Sequence, residues 1–279
     1  MVPDNQYESA NSQSQLDAQM DYLISRAPEV VLFMGDMVDT NNATQWAVAA
    51  EATARLTAAG IKWIPALGNH DANTDRSTLM NTYLTAGSWI GGYYQAGHLE
   101  NTWSKITISG HQWLILSLEF GPRDDVVTWA NSIIKANPTL PTIIVTHAYL
   151  YYDGNLYTNG LYQYYAPASY VWTPSQGCND GASLWTKLIS GNSNIKFVFC
   201  GHTFPPSGYG TAERTTARSD STLCHQMLQD FQELSPNGQS WVRELSFDYT
   251  NNLVYVSTYS PLLSTAMTTS DEQFVLTMP

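Results

Sequence analysis

Four short apolar runs, each closed by a carboxylate, amide or imidazole, constrain this chain more than any other feature. Val30-Val31-Leu32-Phe33-Met34 runs into Gly35-Asp36, and Ile61 to Leu67 runs into Gly68-Asn69-His70-Asp71. Thr142 to Val145 delivers His147, and Ile195 to Cys200 delivers Gly201-His202. Apolar runs of this length read as strands buried on both faces. Helical segments separate them. One lies around 14–26, with Leu16, Met20, Leu23 and Ile24 on one face and Pro28 as its stop. Others lie around 43–59, ended by Gly60, around 124–136, before Pro138, and around 181–190. Trp103 to Ile108 and Trp113 to Leu118 read as a hairpin turning near Ser109-Gly110. The tail reads as a meander: a strand near 223–229, then Trp241 to Phe247 and Leu253 to Thr258 joined by Thr250-Asn251-Asn252. Strands alternating with helices, then strand hairpins, predict a layered α/β (α+β) sandwich. With no repeat, heptad run or linker, residues 1–279 read as one domain.

In open α/β sheets, sites form beyond the carboxyl ends of strands. Four strand ends that all carry metal-competent groups therefore point to one site. Asp offers a hard oxygen that can bridge two cations, Asn a neutral carbonyl oxygen, and His a borderline nitrogen. This set suits Mn, Fe, Zn or Ni rather than Ca or a thiolate-bound zinc. A carboxylate such as Asp36, placed directly after a buried strand, is costly without a partner cation. Asp71 has two readings, a cap for the next helix or a partner that orients His70. The net charge of −12 disfavours a non-specific nucleic-acid or anionic-membrane binder. It also repels an anionic substrate unless a bound cation reverses the local field. No apolar run is long enough to cross a membrane. Cys178, Cys200 and Cys224 form neither a zinc pattern nor a disulfide framework. Cys200 reads as a buried thiol, while Cys178 and Cys224 are either a single disulfide or two free thiols.

The segments Gly35-Asp36-Met37-Val38-Asp39, Gly68-Asn69-His70-Asp71, Thr146-His147 and Gly201-His202, in this order, resemble the calcineurin-like metallophosphoesterases. The resemblance covers nearly the whole chain, and Gln226 to Pro261 resembles the end of secreted bacterial members. It implies a double β-sandwich flanked by helices (αββα), with a two-metal site on one edge. It implies hydrolysis of a phosphate mono- or diester, a small-molecule substrate, with a metal-activated water. One metal would be held by Asp36, Asn69, His147 and His202. The other would need an Asp-x-His near the start, the bridging Asp36 and the last His of a Gly-His-x-His motif. This chain reads Asp4-Asn5-Gln6 and Gly201-His202-Thr203-Phe204 at those places. Phe cannot ligate a metal, and Gln is a weaker ligand than imidazole. The expectation is one intact site and one impaired site that keeps Asp4 and Gln6, hence one or two divalent ions per chain. His225 is either a replacement ligand or a strand histidine. His98 and His111 read as surface residues. By the same resemblance, His70 would protonate the leaving group, oriented by Asp39 or Asp71.

The segment from Ala148 to Trp172 carries Tyr149, Tyr151, Tyr152, Tyr157, Tyr162, Tyr164, Tyr165 and Tyr170. It could stack on a sugar, base or aryl group, or pack upon itself, the reading preferred. Arg123, Arg214 and Arg218 are either phosphate contacts or solvated charges. Only Val2 and Pro3 remain of the first central strand that the resemblance implies, so either the chain is a truncated or fused fragment there, or another segment covers the exposed sheet edge. An exposed sheet edge left by that loss would favour a homodimer or a swapped strand. The low-charge, Tyr/Asn/Thr-rich composition suggests a secreted or periplasmic setting, although no signal peptide precedes the first motif. The alternative to an active hydrolase is a degenerate relative that binds a metal or a ligand, carbohydrate included, without turnover.

Overall fold

A computed structural model describes residues 1–170 and 177–279, and in it the four apolar runs become parallel strands shared between two sheets. β1 (Val30–Phe33) and β2 (Lys62–Pro65) pair in parallel. The large sheet comprises β3 (Ile90–Tyr93), β4 (Thr102–Ile108), β5 (His111–Leu118), β6 (Thr142–Thr146), β7 (Ile195–Cys200), β8 (Gly210–Ala217) and β9 (Leu223–Asp230). Its order is β3-β4-β5-β6-β7-β9-β8, with β5, β6, β7 and β9 parallel. A third, antiparallel group comprises β10 (Val242–Asp248), β11 (Leu253–Ser260), β12 (Thr265–Met267) and β13 (Phe274–Thr277). The helices are α1 (Gln6–Asn11), α2 (Gln13–Arg26), α3 (Ala43–Ala58), α4 (Met80–Tyr83), α5 (Asp124–Ala136) and α6 (Gly181–Leu184), the last running into a π turn over Trp185–Ile189.

Because side chains alternate along a strand, each strand feeds two cores. Leu32, Ile64, Trp113, Ile115, Ile143, Val145, Phe197, Phe199, Val254 and Val256 meet between the sheets. The opposite faces of β1 and β2, through Val31, Phe33 and Trp63, pack on Leu16, Met20, Leu23, Trp46 and Leu56 of α2 and α3. On the far side, Leu114, Leu116, Ile144 and Val198 pack on Val126, Ala130, Leu184 and Leu188. The result is the expected helix–sheet–sheet–helix layering.

The first two residues join the small sheets. Val2 N donates to Leu32 O at 2.8 Å, and Met34 N donates to Val2 O at 3.0 Å. Met1 N donates to Arg243 O at 2.6 Å, and Arg243 N returns the bond to Met1 O at 3.1 Å. The edge of β1 is thus covered at Leu32 and Met34 by Val2 of the chain itself. A disulfide between Cys178 and Cys224 is not formed: all three cysteines are free, with Cys224 buried in β9. Among the described residues no helix is long and apolar enough to cross a membrane.

Candidate metal centre

β1, β2, β6 and β7 all end at one edge of the sandwich, and their loops converge there. Close approach dictates the backbone. Gly35 has φ +95°, and a Cβ there would lie 2.6 Å from His147 Nδ1. At Gly68 a Cβ would lie 2.0 Å from Asp36 Oδ1. Asp36 (φ 49°) and His202 (φ 81°) also adopt the left-handed region, a conformation disfavoured for residues other than glycine. Such strain persists where the surroundings over-determine it, as at binding sites.

Asp36, His147 and His202 are buried, and their ligand atoms lie within 4.8 Å of one another. His147 Nδ1 is 2.8 Å from Met34 O, and His202 Nε2 is 2.7 Å from Tyr165 O. A carbonyl only accepts, so both of these nitrogens carry hydrogen and donate. The inner nitrogens, His147 Nε2 and His202 Nδ1, face each other at 3.1 Å, with Asp36 Oδ2 at 3.0 Å from the former. Two lone pairs and a carboxylate so placed repel unless a cation or proton sits among them. Asn69 Oδ1 is also buried and has no hydrogen-bond partner. Two imidazoles with outer nitrogens anchored on carbonyls, a carboxylate and an orphaned amide oxygen form a donor set that fits a divalent metal.

With no cation among them, these groups shift one another's titration. Burial opposes ionisation of Asp36, but the charge and hydrogen bond of His147, then His70 and His202, hold its carboxyl at about 2. Burial, then the charge of His147, lowers His202 to about 3. Burial also works against protonation of His147, yet Asp36 outweighs it and raises that imidazole. Burial, then Asp36, lifts Asp71 to about 7.

His70 stands at the rim, 39% exposed. Its backbone N donates to Asp36 Oδ1 at 2.8 Å. Its Nδ1 is 2.7 Å from Asp39 O and 3.8 Å from Asp39 Oδ1. Asp71 neither caps a helix nor touches the His70 ring. It accepts from Val38 N at 3.1 Å and Gly68 N at 2.8 Å, and so clamps the loops after β1 and β2 together.

The second half of the site departs from a ligand set that includes an imidazole. Asp4 and Gln6 are buried beside the centre, and the Gln6 amide donates to Gln232 Oε1. Phe204 lines a cavity of ≈ 150 Å³ with Gln6, Tyr7, Asp36, Asn69, His70, Tyr165, Tyr170, His202, Gln232 and Glu233. His225 is no replacement ligand: it lies within β9 with Nδ1 2.7 Å from Thr215 Oγ1 and Nε2 2.9 Å from Thr277 O. His111 is exposed, stacked on Tyr249, and His98 is half-buried beside Asn81 and Glu100. None of the arginines lines this cavity. Arg123 pairs with Glu119, Arg214 bonds Thr216, and Arg218 is a buried donor to Ile189 O and Ile195 O rather than a solvated charge.

The tyrosine segment divides in two. Tyr149, Tyr151 and Tyr157 are buried, the last two packing with Phe120 and Ala148. Tyr162, Tyr164 and Tyr165 are largely exposed, and Tyr165 and Tyr170 wall the cavity. Trp172 lies outside the described residues. Sequence reasoning missed Tyr7, Tyr165 O, Gln232, Glu233 and Asp230. Asp230 gave no comparable signal, because its strand, Leu223–Asp230, mixes His225, Gln226 and Gln229 with apolar residues.

A cluster that could hold a metal ion thus sits at the strand ends of a helix–sheet–sheet–helix sandwich. Residues 10–206 match the family model for calcineurin-like phosphoesterases, and the chain belongs to that metal-dependent family. Over 281 residues it is 26% identical to the uncharacterized protein YvnB of Bacillus subtilis (strain 168), covering 93% of this chain and 19% of that protein. The chain therefore spans about a fifth of the length of that relative. Its fold is similar to purple acid phosphatase PPD1 from yellow lupin (Lupinus luteus) seeds, with TM-score 0.52 and 13% identity, covering 95% of this chain and 49% of that one. A 5'-nucleotidase precursor from Thermus thermophilus aligns with TM-score 0.46 and 13% identity, covering 95% and 48%.

Proposed function

We propose that this chain is a metal-dependent phosphoesterase that hydrolyses a phosphate mono- or diester. The observation that carries the reading is the meeting of His147 Nε2, His202 Nδ1 and Asp36 Oδ2 within 4.8 Å of one another, beside the orphaned Asn69 Oδ1. A divalent cation held there would neutralise phosphate charge and lower the pKa of water to about 7. Among the described residues no Lys or Arg lines the cavity, so the cation and the His70 imidazole are what could meet an anionic ester there. His70 has Nδ1 committed to Asp39 O, which leaves Nε2 to hold a proton over the cavity for a departing oxygen. Asp39 Oδ1, 3.8 Å from the same Nδ1, faces the ring from that side as well. Tyr165, Tyr170 and Phe204 give the leaving group an aromatic wall.

The second reading, a relative that binds a cation without turnover, is favoured by Phe204, which removes one imidazole from the family pattern. The two are separated by measuring bound metal together with hydrolysis of a phosphodiester and a phosphomonoester of one aryl alcohol, with manganese, zinc or iron added. We expect metal-dependent hydrolysis. His70→Ala should retain metal and lose roughly 10²–10⁴ in rate, whereas His202→Ala should lose both metal and rate. Bound metal with no turnover of either ester would favour the second reading.

A further inference from the structure

We propose that Tyr162, Tyr164 and Tyr165 form a stacking track for the alcohol half of the substrate, and that this half is a neutral group carrying a ring with a flat face, glycosyl or nucleosyl. The proposal rests on the phosphoesterase reading and deepens it. The cavity beside the cluster measures ≈ 150 Å³, whereas pockets that enclose a drug-sized ligand measure roughly 300–1,000 Å³. It has room for a phosphate group and little more, so most of the alcohol must lie outside it. Tyr165 lines the cavity, and aromatic rings continue outward from there. The Tyr165 ring is 6.4 Å from that of Tyr164, which is 5.2 Å from that of Tyr162. Inward, it is 6.1 Å from the Phe204 ring and 6.3 Å from that of His202. A row of rings thus runs from a candidate metal ligand to open solvent.

The row is fastened by its backbone, which leaves the rings themselves outside. His202 Nε2 donates to Tyr165 O at 2.7 Å, and Tyr157 OH donates to Tyr164 O at 3.0 Å. Tyr164 N donates to Tyr151 OH at 3.3 Å, and both Tyr151 and Tyr157 are buried. The Gln163 side chain accepts from Thr158 N at 2.8 Å and donates to Leu156 O at 3.1 Å. Tyr165 has φ 58°, a conformation disfavoured for a residue with a side chain. The rings so presented are 87% exposed at Tyr162, 49% at Tyr164 and 50% at Tyr165. Among the described residues, four of the eight exposed large apolar side chains fall in Leu161–Tyr165, so the exposure is concentrated beside the cavity. Contiguous exposed apolar surface marks a contact site. Phenol rings stack on flat partners at little entropic cost, and their hydroxyls can bond the partner's polar rim. Charge narrows the class further. Asp36 and Glu233 line the cavity, and among the described residues no lysine or arginine does. An alcohol carrying its own carboxylate or a further phosphate would therefore meet like charge there.

The test measures steady-state hydrolysis by the manganese-loaded chain of glycerol phosphate, glucose 1-phosphate, adenosine 5'-phosphate and glucuronic acid 1-phosphate, each also as its methyl diester. Wild type should show a kcat/KM at least roughly fivefold higher for the glucosyl or the adenosyl ester than for the ringless glycerol ester, and the better of the two identifies the ring. The glucuronosyl ester, the same ring with a carboxylate, should be poorer than the glucosyl one. Tyr162→Ser and Tyr164→Ser should each lower the preference over glycerol phosphate at least roughly twofold, through KM rather than kcat. Tyr162→Phe and Tyr164→Phe, which keep the rings, should retain it, and melting curves verify folding. Equal handling of ringed and ringless esters would overturn the proposal, as would serine variants with the wild-type preference. Light scattering that shows the serine variants splitting a wild-type dimer would overturn it too, because the rings would then be covered by a second copy. No turnover of any ester would overturn the hydrolase reading itself, and this proposal with it.

Discussion

Gly68 has no side chain because the place is already taken: a Cβ would lie 2.0 Å from Asp36 Oδ1 and 2.2 Å from Asp36 N. Gly68→Ala must move the carboxylate that faces His147. We expect cation affinity to fall roughly tenfold or more, about 1.4 kcal/mol, in a calorimetric titration, and an unchanged affinity would show that Asp36 is not held as described. A second residue-scale consequence concerns the seventeen tyrosines. Burial raises Tyr22 and Tyr151 to about 12, and raises Tyr149, Tyr157 and Tyr170 above their ordinary range. Between the ordinary phenol value and about 12, the unfolded chain loses protons that the folded chain keeps. Stability present below that window is lost as pH rises through it. Phenolate absorbance should therefore rise in two phases, the later one coinciding with loss of near-UV circular dichroism. A single phase at the ordinary tyrosine value would contradict the burial of these rings.

Among elements, β5 carries Trp113 into the space between the sheets, where it is 1% exposed, 5.8 Å from the Phe197 ring and 5.3 Å from the Phe247 ring. Its indole N–H donates to Tyr249 OH at 2.7 Å. Trp113→Ala should cost roughly 3–5 kcal/mol in denaturant unfolding, and a loss below about 1 kcal/mol would argue against this packing. Elements buried on both faces were legible because their residues are uniformly apolar: β1, β6 and β7 lie where their runs lie, and α5 where its apolar face lies. β8 was not, because Thr211-Ala212-Glu213-Arg214-Thr215-Thr216 is a half-exposed edge strand with no apolar period. α1, six residues of mostly polar type, gave no helical signal either. The same physics divides the site. Asp36, Asn69, His70, His147 and His202 could be read because carboxylate, amide and imidazole directly after a buried strand are hard to explain otherwise. Tyr165 enters through its backbone carbonyl, which every residue type has. Gln6 and Gln232 are amides that meet in the cavity wall only because two segments far apart in sequence come together in space.

The whole molecule carries a formal charge of −12, and its candidate substrate cavity is lined by Asp36 and Glu233 with, among the described residues, no lysine or arginine. Attraction of a phosphate ester then rests chiefly on bound cations. Chelator-treated protein should show no saturable binding of inorganic phosphate, with binding restored by manganese or zinc. Equal binding with and without metal would place the anion elsewhere. Replacing the exposed Leu161 and Tyr162 of the tyrosine segment with serine, which leaves the buried Tyr149, Tyr151 and Tyr157 in place, should leave metal content unchanged. The most direct test of the account is anomalous diffraction from crystals grown with manganese. The expected result is a peak bounded by Asp36, Asn69, His147 and His202, with His147 Nε2 and His202 Nδ1 both within about 2.3 Å of it. Well-ordered density in which those two nitrogens face each other with no ion between them, at saturating manganese, would contradict it.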